Sequence, residues 1–200
     1  MTKEVNEQVS RKKNEQKVDL EKFNETTSLF GYELIRDVLI PNLLGAETHE
    51  ILYWAGKELA RQYPLANRQD IVRFFDKAGF GLIELNKEQR NKQVYTLSGK
   101  VVQARLKHAQ PSFNLEAGFL AEQIQTLDHL YTEALTEVNM KTKVVTFIVQ
   151  SDTKDRLSIE EPFTHFVMSD DENKEQSIMN SDVPEQDESV LPSRSSRHEL

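Results

Sequence analysis

Apolar residues in this chain keep a helical spacing up to about residue 78, then change to strand-like alternation, and the same change repeats once more further on. YELIRDVLIPNL (32–43) carries Leu34, Ile35, Val38, Leu39 and Leu43 on one stripe. Pro41 should end or kink that helix, and Gly45 should stop it. A second helix is predicted from Thr48 to Tyr63, with Thr48 as cap, Glu50 near the positive dipole end and Pro64 after it. A third spans 68–78 between the cap Asn67 and the stop Gly79. Then LIELN (82–86), VYTL (94–97) and KVVQARL (100–106) read as strands. In the last, Val102, Ala104 and Leu106 alternate with Gln103, Arg105 and Lys107. A fourth helix is expected over 115–127 behind Asn114, with strands at about 131–138 and 144–150. Helices, hairpin, helix, hairpin is the order of an α+β domain, not of a parallel βαβ array. The expectation is an antiparallel sheet of about four strands packed against about four helices.

The charge is confined to one end. Residues 151–200 hold 13 of the 33 acids and 5 of the 25 bases, so residues 1–150 hold 20 of each. The neutral body has no electrostatic reason to seek nucleic acid or an anionic membrane. Residues 1–18 and 155–200 read as disordered tails around a single domain over 19–154. PFTHFVM (162–168) is apolar enough to dock, either as a partner-binding motif or as a strap across the body. With no cysteine, no membrane-length apolar run and no secretory signal, the expected compartment is the cytoplasm, and the closing RHEL is read as coincidence.

His49-Glu50 opens the second helix as in a zinc protease, but Tyr53 stands where the second ligand should be. No metal site, cofactor or catalytic residue is expected. Asp37, Glu50, Glu58, Asp70 and Glu116 are each more simply caps, dipole partners or solvated residues. The glycines are more informative. Gly56, beside Tyr53, Trp54 and Leu59, interrupts a helix at a cost of about 1 kcal/mol relative to Ala. Gly118, beside Phe119, does the same in the fourth helix. Either helices pack closely there, or missing side chains leave a slot for an apolar ligand. The first two helices also carry more apolar residues than one face needs, which implies a surface shared with a second protomer.

FNLEAGFLAEQIQ (113–125), flanked by LSGKVVQARL and YTEALTEVNMKTKVVTFIV, resembles the ligand-binding α/β domain of TRAPP tethering subunits and 4-vinyl-reductase proteins. LIRDVLIPNLLG, HEILYWAGKELA and RFFDKAGFG resemble the YslB-like family of Firmicutes over about residues 28–152. The resemblance implies a TRAPP-like fold, pairing through helices, and binding of hydrophobic small molecules or partner proteins. Vinyl-reductase-like members often carry cysteines in the final hairpin. Here Val138, Met140 and Val144 stand there without one, so thiolate chemistry is not carried over. The expected function is a non-enzymatic homodimeric module binding a hydrophobic small molecule or acting as scaffold. Leu34, Val38, Leu39, Tyr53, Trp54, Gly56, Leu59, Gly118 and Phe119 are its candidate pocket or dimer surface. The alternatives are an adaptor whose acidic C-terminal tail binds a protein partner, and an enzyme using carboxylates such as Asp37, Glu50 or Glu58.

Overall fold

The computed structural model describes residues 28–157 and 165–166. A helical N-terminal segment comes first: α1 (Leu29–Glu33), a π-helical turn (Leu34–Leu39), α2 (Ile40–Leu44) and a 3-10 turn (Gly45–Glu47). It leads into α3 (Thr48–Gln62) and α4 (Arg68–Lys77). The hairpin β1 (Leu82–Gln89) and β2 (Lys92–Ser98) follows, then α5 (Lys100–Arg105) and α6 (Asn114–Asp128). The second hairpin is β3 (Leu130–Asn139) and β4 (Val144–Arg156). All pairings are antiparallel, in the order β1-β2-β4-β3, so the two hairpins join through β2 and β4. This is the α+β class expected, with four strands.

The period-two pattern sets the inner face of the sheet. Gln93, Tyr95 and Leu97 of β2 and Val145, Phe147 and Val149 of β4 are buried, while their neighbours along each strand are not. α6 packs against both α3 and β3, and it is buried continuously from Glu116 to Ile124. Enclosed on every side, this helix buries Glu116, Glu122 and Gln123 along with its apolar residues, not a single apolar stripe. Phe119 stacks on Phe74 with ring centroids 4.4 Å apart.

Four local readings change. KVVQARL forms α5, not a strand. Gly99, at φ 113°, turns the chain out of β2, and Val102 and Leu106, four residues apart, enter the core together. The alternation misled because Arg105 is not a solvent-facing residue: it is fully buried. Pro41 does not end its helix, which continues to Leu44 after a π-helical turn at Leu34–Leu39. Thr48 does not cap α3. Its hydroxyl donates back to the Gly45 carbonyl at 2.6 Å. Asn114 is the first residue of α6, and its side-chain amide reaches the His49 carbonyl at 3.2 Å. Asn67, by contrast, caps α4 as expected, accepting from the Asp70 amide at 3.0 Å.

β4 extends to Arg156, beyond the expected domain end at 154. From the PFTHFVM motif, Phe166 reaches the body. Its amide donates to the Pro64 carbonyl at 2.7 Å, and its ring meets Tyr63 edge-on at 5.2 Å. The rest of that motif apart from His165, the predicted N-terminal tail, the remainder of the predicted C-terminal tail and the RHEL terminus lie outside the described residues.

Candidate functional site

Pro41 organises the N-terminal segment. Having no N–H, it cannot supply the helical rung to the Asp37 carbonyl. The helix just before it widens to the π register, where the Ile40 amide donates to the Ile35 carbonyl. Inside this turn Arg36 is buried, and the Asp37 side chain is nearly so. Leu34, Ile35, Val38 and Leu39 face outward and are exposed. This turn is therefore inverted, with Arg36 and Asp37 inside and its apolar residues outside.

The inward charges join a sealed network. Glu116 stands in the first turn of α6, where the helix dipole favours a carboxylate. Arg105 closes α5, where it favours a cation. Glu116 Oε1 accepts from Arg36 Nη2 at 2.5 Å and from Arg105 Nη1 at 2.7 Å. Arg105 Nε faces both Asp37 oxygens at 3.1 and 3.0 Å, and its Nη2 donates to the Ser112 carbonyl at 2.5 Å. The Phe113 ring lies 4.3 Å from its guanidinium carbon. Desolvation alone would raise the Glu116 pKa, but Arg36 and Arg105 outweigh it and hold the carboxyl below its ordinary value. Burial pushes the Tyr32 phenol above its ordinary value, reinforced by Glu116.

A second network fastens α3 to α6 and β3. Lys57, 2% exposed, places its ammonium 3.2 Å from the Thr132 carbonyl, 3.0 Å from Glu133 Oε1 and 3.8 Å from Glu122 Oε2. The rings of Tyr53, Trp54 and Tyr131 surround it at 5.8, 5.7 and 5.5 Å, within cation–π range. The Tyr53 hydroxyl donates to Glu133 and accepts from the Ala134 amide at 3.0 Å. Burial, then the Glu133 bond, keeps that phenol protonated well above the usual range. Arg61 completes the set at 2.8 Å from Glu122 Oε1.

The nine candidate residues fall into two groups. Leu34, Val38, Leu39 and Trp54 are exposed on the N-terminal segment and α3. Gly56 and Gly118 form the seam where α3 crosses α6. A Cβ on Gly56 would stand 2.1 Å from the Leu115 carbonyl oxygen, and one on Gly118 2.0 Å from that of Tyr53. The space beside both glycines is therefore filled by the facing helix backbone. Leu59 is partly buried against the core, Phe119 is fully buried in it, and Tyr53 spans from the seam to β3. Sequence reasoning missed Arg36, Arg105, Lys57 and Glu133, and passed over Glu116 as a cap. The signal available was opposite charges on helices whose surroundings are apolar.

Asp37, Glu50 and Glu58 do not converge. Asp37 is held by Arg105, Glu58 pairs with Arg61 at 2.9 Å, and Glu50 is exposed in the first turn of α3. Among the described residues no three His, Asp or Glu side chains are grouped to hold a metal, and no helix is long and apolar enough to cross a membrane.

The chain is 38% identical over 127 residues to the uncharacterised protein YslB of Bacillus subtilis (strain 168), covering 63% of this chain and 86% of the relative. Its fold is similar to the crystal structure of a vinyl-4-reductase family protein from Methanocaldococcus jannaschii. The TM-score is 0.51 at 19% identity, covering 66% of this chain and 85% of that one. At that identity the likeness is one of fold. Residues 29–150, well over half the chain, match the family described as protein of unknown function DUF2507. By that match and the YslB likeness, the chain is a member of the DUF2507 family.

Proposed function

We propose that this protein is a non-enzymatic, cytosolic pairing module, in which the N-terminal helical segment and α3 dock onto a second copy of the chain. One observation carries this reading: the apolar outer face of the N-terminal segment. Phe30 is 72% and Leu43 74% exposed, and Leu34, Ile35, Val38, Leu39, Ile51 and Trp54 are exposed too. A contiguous helical stretch with this many apolar residues in water is stabilised by covering that surface. Fully burying one such side chain contributes about 1.5–3 kcal/mol. Among residues 28–47 the only base is Arg36, which is buried, so the cationic rim of a membrane-surface helix is lacking. An apolar face without a cationic rim suits a second copy. The scattered surroundings of Asp37, Glu50 and Glu58 support the absence of carboxylate catalysis. Any hydrophobic small molecule would meet the outer face around Trp54, because backbone fills the space beside Gly56 and Gly118.

The adaptor reading rests on a different observation, the docking of Phe166 against Pro64 and Tyr63. Sedimentation of the full chain decides between the two. Pairing predicts a dimer at about 100 μM or below, and a monomer with unchanged circular dichroism in the Leu34→Asp, Leu39→Asp double variant. A wild-type chain that stays monomeric throughout that range refutes pairing.

A further inference from the structure

The link between α3 and α4 is fastened from the inside by one side chain. Gln123, 1% exposed, donates to the Ala60 and Tyr63 carbonyls at 3.3 and 2.8 Å and accepts from the Leu65 amide at 3.1 Å. The Tyr63 amide donates to the Leu59 carbonyl at 3.1 Å. The Pro64 carbonyl is answered differently, by the Phe166 amide at 2.7 Å. The Phe166 ring stands edge-on to Tyr63 at 5.2 Å and to Phe74 at 6.4 Å. Among the described residues its hydrogen bonds and ring contacts stop there. Phe166 is half-buried, and His165 beside it is exposed.

The two sides of this contact are held differently. Phe74 stacks on the fully buried Phe119 at 4.4 Å and meets Phe80 edge-on at 6.1 Å, and the Tyr63 ring leans on Phe74 at 6.0 Å. Core residues and Gln123 therefore position Tyr63, Pro64 and Phe74 without help from Phe166. A preformed carbonyl acceptor beside a fixed aromatic ledge can receive an extended chain at small entropic cost. A main-chain hydrogen bond that sets the register, next to a pocket that selects a side chain, is a recurring mode of peptide recognition. Two rings that meet their guest edge-on select an aromatic one. We propose that Tyr63, Pro64 and Phe74 form a docking site for an extended peptide segment with phenylalanine at its anchor position, and that Phe166 fills this site in cis. The chain is tied to the body shortly before, at Leu157, whose amide donates to the His129 carbonyl at 3.1 Å. A short tether presents Phe166 at an effective concentration on the order of millimolar, so it acts as an internal competitor that a partner segment of the same chemistry must displace. The site depends neither on pairing nor on a partner for the acidic tail.

The test uses the full chain and a fluorescein-labelled peptide copy of residues 161–168, EPFTHFVM, followed by anisotropy. In Phe166→Ala the site is vacant. The peptide should bind that chain about tenfold more tightly than the wild type, where Phe166 competes from its tether. The same replacement made in the peptide should abolish binding. A peptide N-methylated at the anchor phenylalanine cannot donate to Pro64 and should bind about fivefold more weakly, the worth of one hydrogen bond. Tyr63→Ala, added to Phe166→Ala, should weaken binding by a similar factor. Phe166→Leu, which keeps an apolar side chain without the ring, should give an intermediate affinity, and it carries the same test if the alanine chain does not fold. Equal affinity for the wild-type and Phe166-substituted chains would overturn the proposal. So would the absence of binding to the substituted chains at about 1 mM peptide, or an N-methylated peptide that binds unchanged.

Discussion

Two carboxylates on α6, Glu116 and Glu122, each bind buried cations, yet their networks are built on opposite terms. Around Glu122 every partner is matched: Lys57 has two oxygen acceptors within hydrogen-bond distance and three aromatic faces, and Arg61 and Glu133 border water. Around Glu116 the walls are closed, and four polar atoms have no match. A satisfied network that touches solvent works as a clamp, because no atom in it calls for anything else. A sealed and incomplete one is held at a cost, which the surrounding fold must offset. The difference marks the Lys57 network as a satisfied clamp and the Glu116 network as one held at a cost.

Substitutions should separate the two. Glu116→Ala leaves Arg36 and Arg105 buried without their shared anion, and should destabilise by about 3–5 kcal/mol in urea unfolding. A loss below 1 kcal/mol would mean that the network is wetter than the structure indicates. Acid provides the same test without mutation. The folded Glu116 pKa lies below its unfolded value, so its contribution is complete above about pH 4.5 and is lost as pH falls through the folded value. Unfolding midpoints should hold from pH 7 to 5 and drop below about pH 4, a drop that Glu116→Gln should blunt.

Gly118→Ala comes next, at about 3 kcal/mol, because the new Cβ collides with the Tyr53 carbonyl and crowds the Lys57 amide at 3.2 Å. It should also disturb the Lys57 cage, visible as altered Trp54 fluorescence, while leaving the Arg36 Nε–H NMR signal in place. Lys57→Met should cost only about 1–2 kcal/mol. Glu122 keeps Arg61, Glu133 keeps Tyr53, and the methionine stem refills the cage. A larger loss than for Glu116→Ala would invert the comparison. Smallest in stability is Leu43→Lys on the outer face, within about 0.5 kcal/mol for the isolated chain. Its effect should appear instead as weakened pairing in sedimentation.

The sequence made the sheet and most helices legible because their periods are local. Val145, Phe147 and Val149 announce a half-buried strand whatever lies beside them. Asn67 announces a helix start for the same reason. What escaped was decided by distant residues. Arg105 reads as a surface position until α6 places Glu116 beside it, and the misreading of α5 as a strand came from that one assumption. The glycine seam was visible as two anomalies, Gly56 and Gly118, but only the crossing of α3 and α6 shows that each faces the other helix's backbone. The abundance of apolar residues in the first helix was legible, whereas the inward turn of Arg36 and Asp37 was not, because it depends on a change of helical register.

That change makes Pro41 a phase shifter. A π turn holds about one residue more than an α turn, so the helix before it is rotated by roughly 100° relative to an unbroken α-helix. Without the proline, the lost rung to Asp37 could re-form and the rotation could unwind. Arg36 and Asp37 would then swing towards the face now held by Leu34 and Val38. One imino acid thereby sets which side of the segment is inside, and with it both the inner charge network and the outer apolar face.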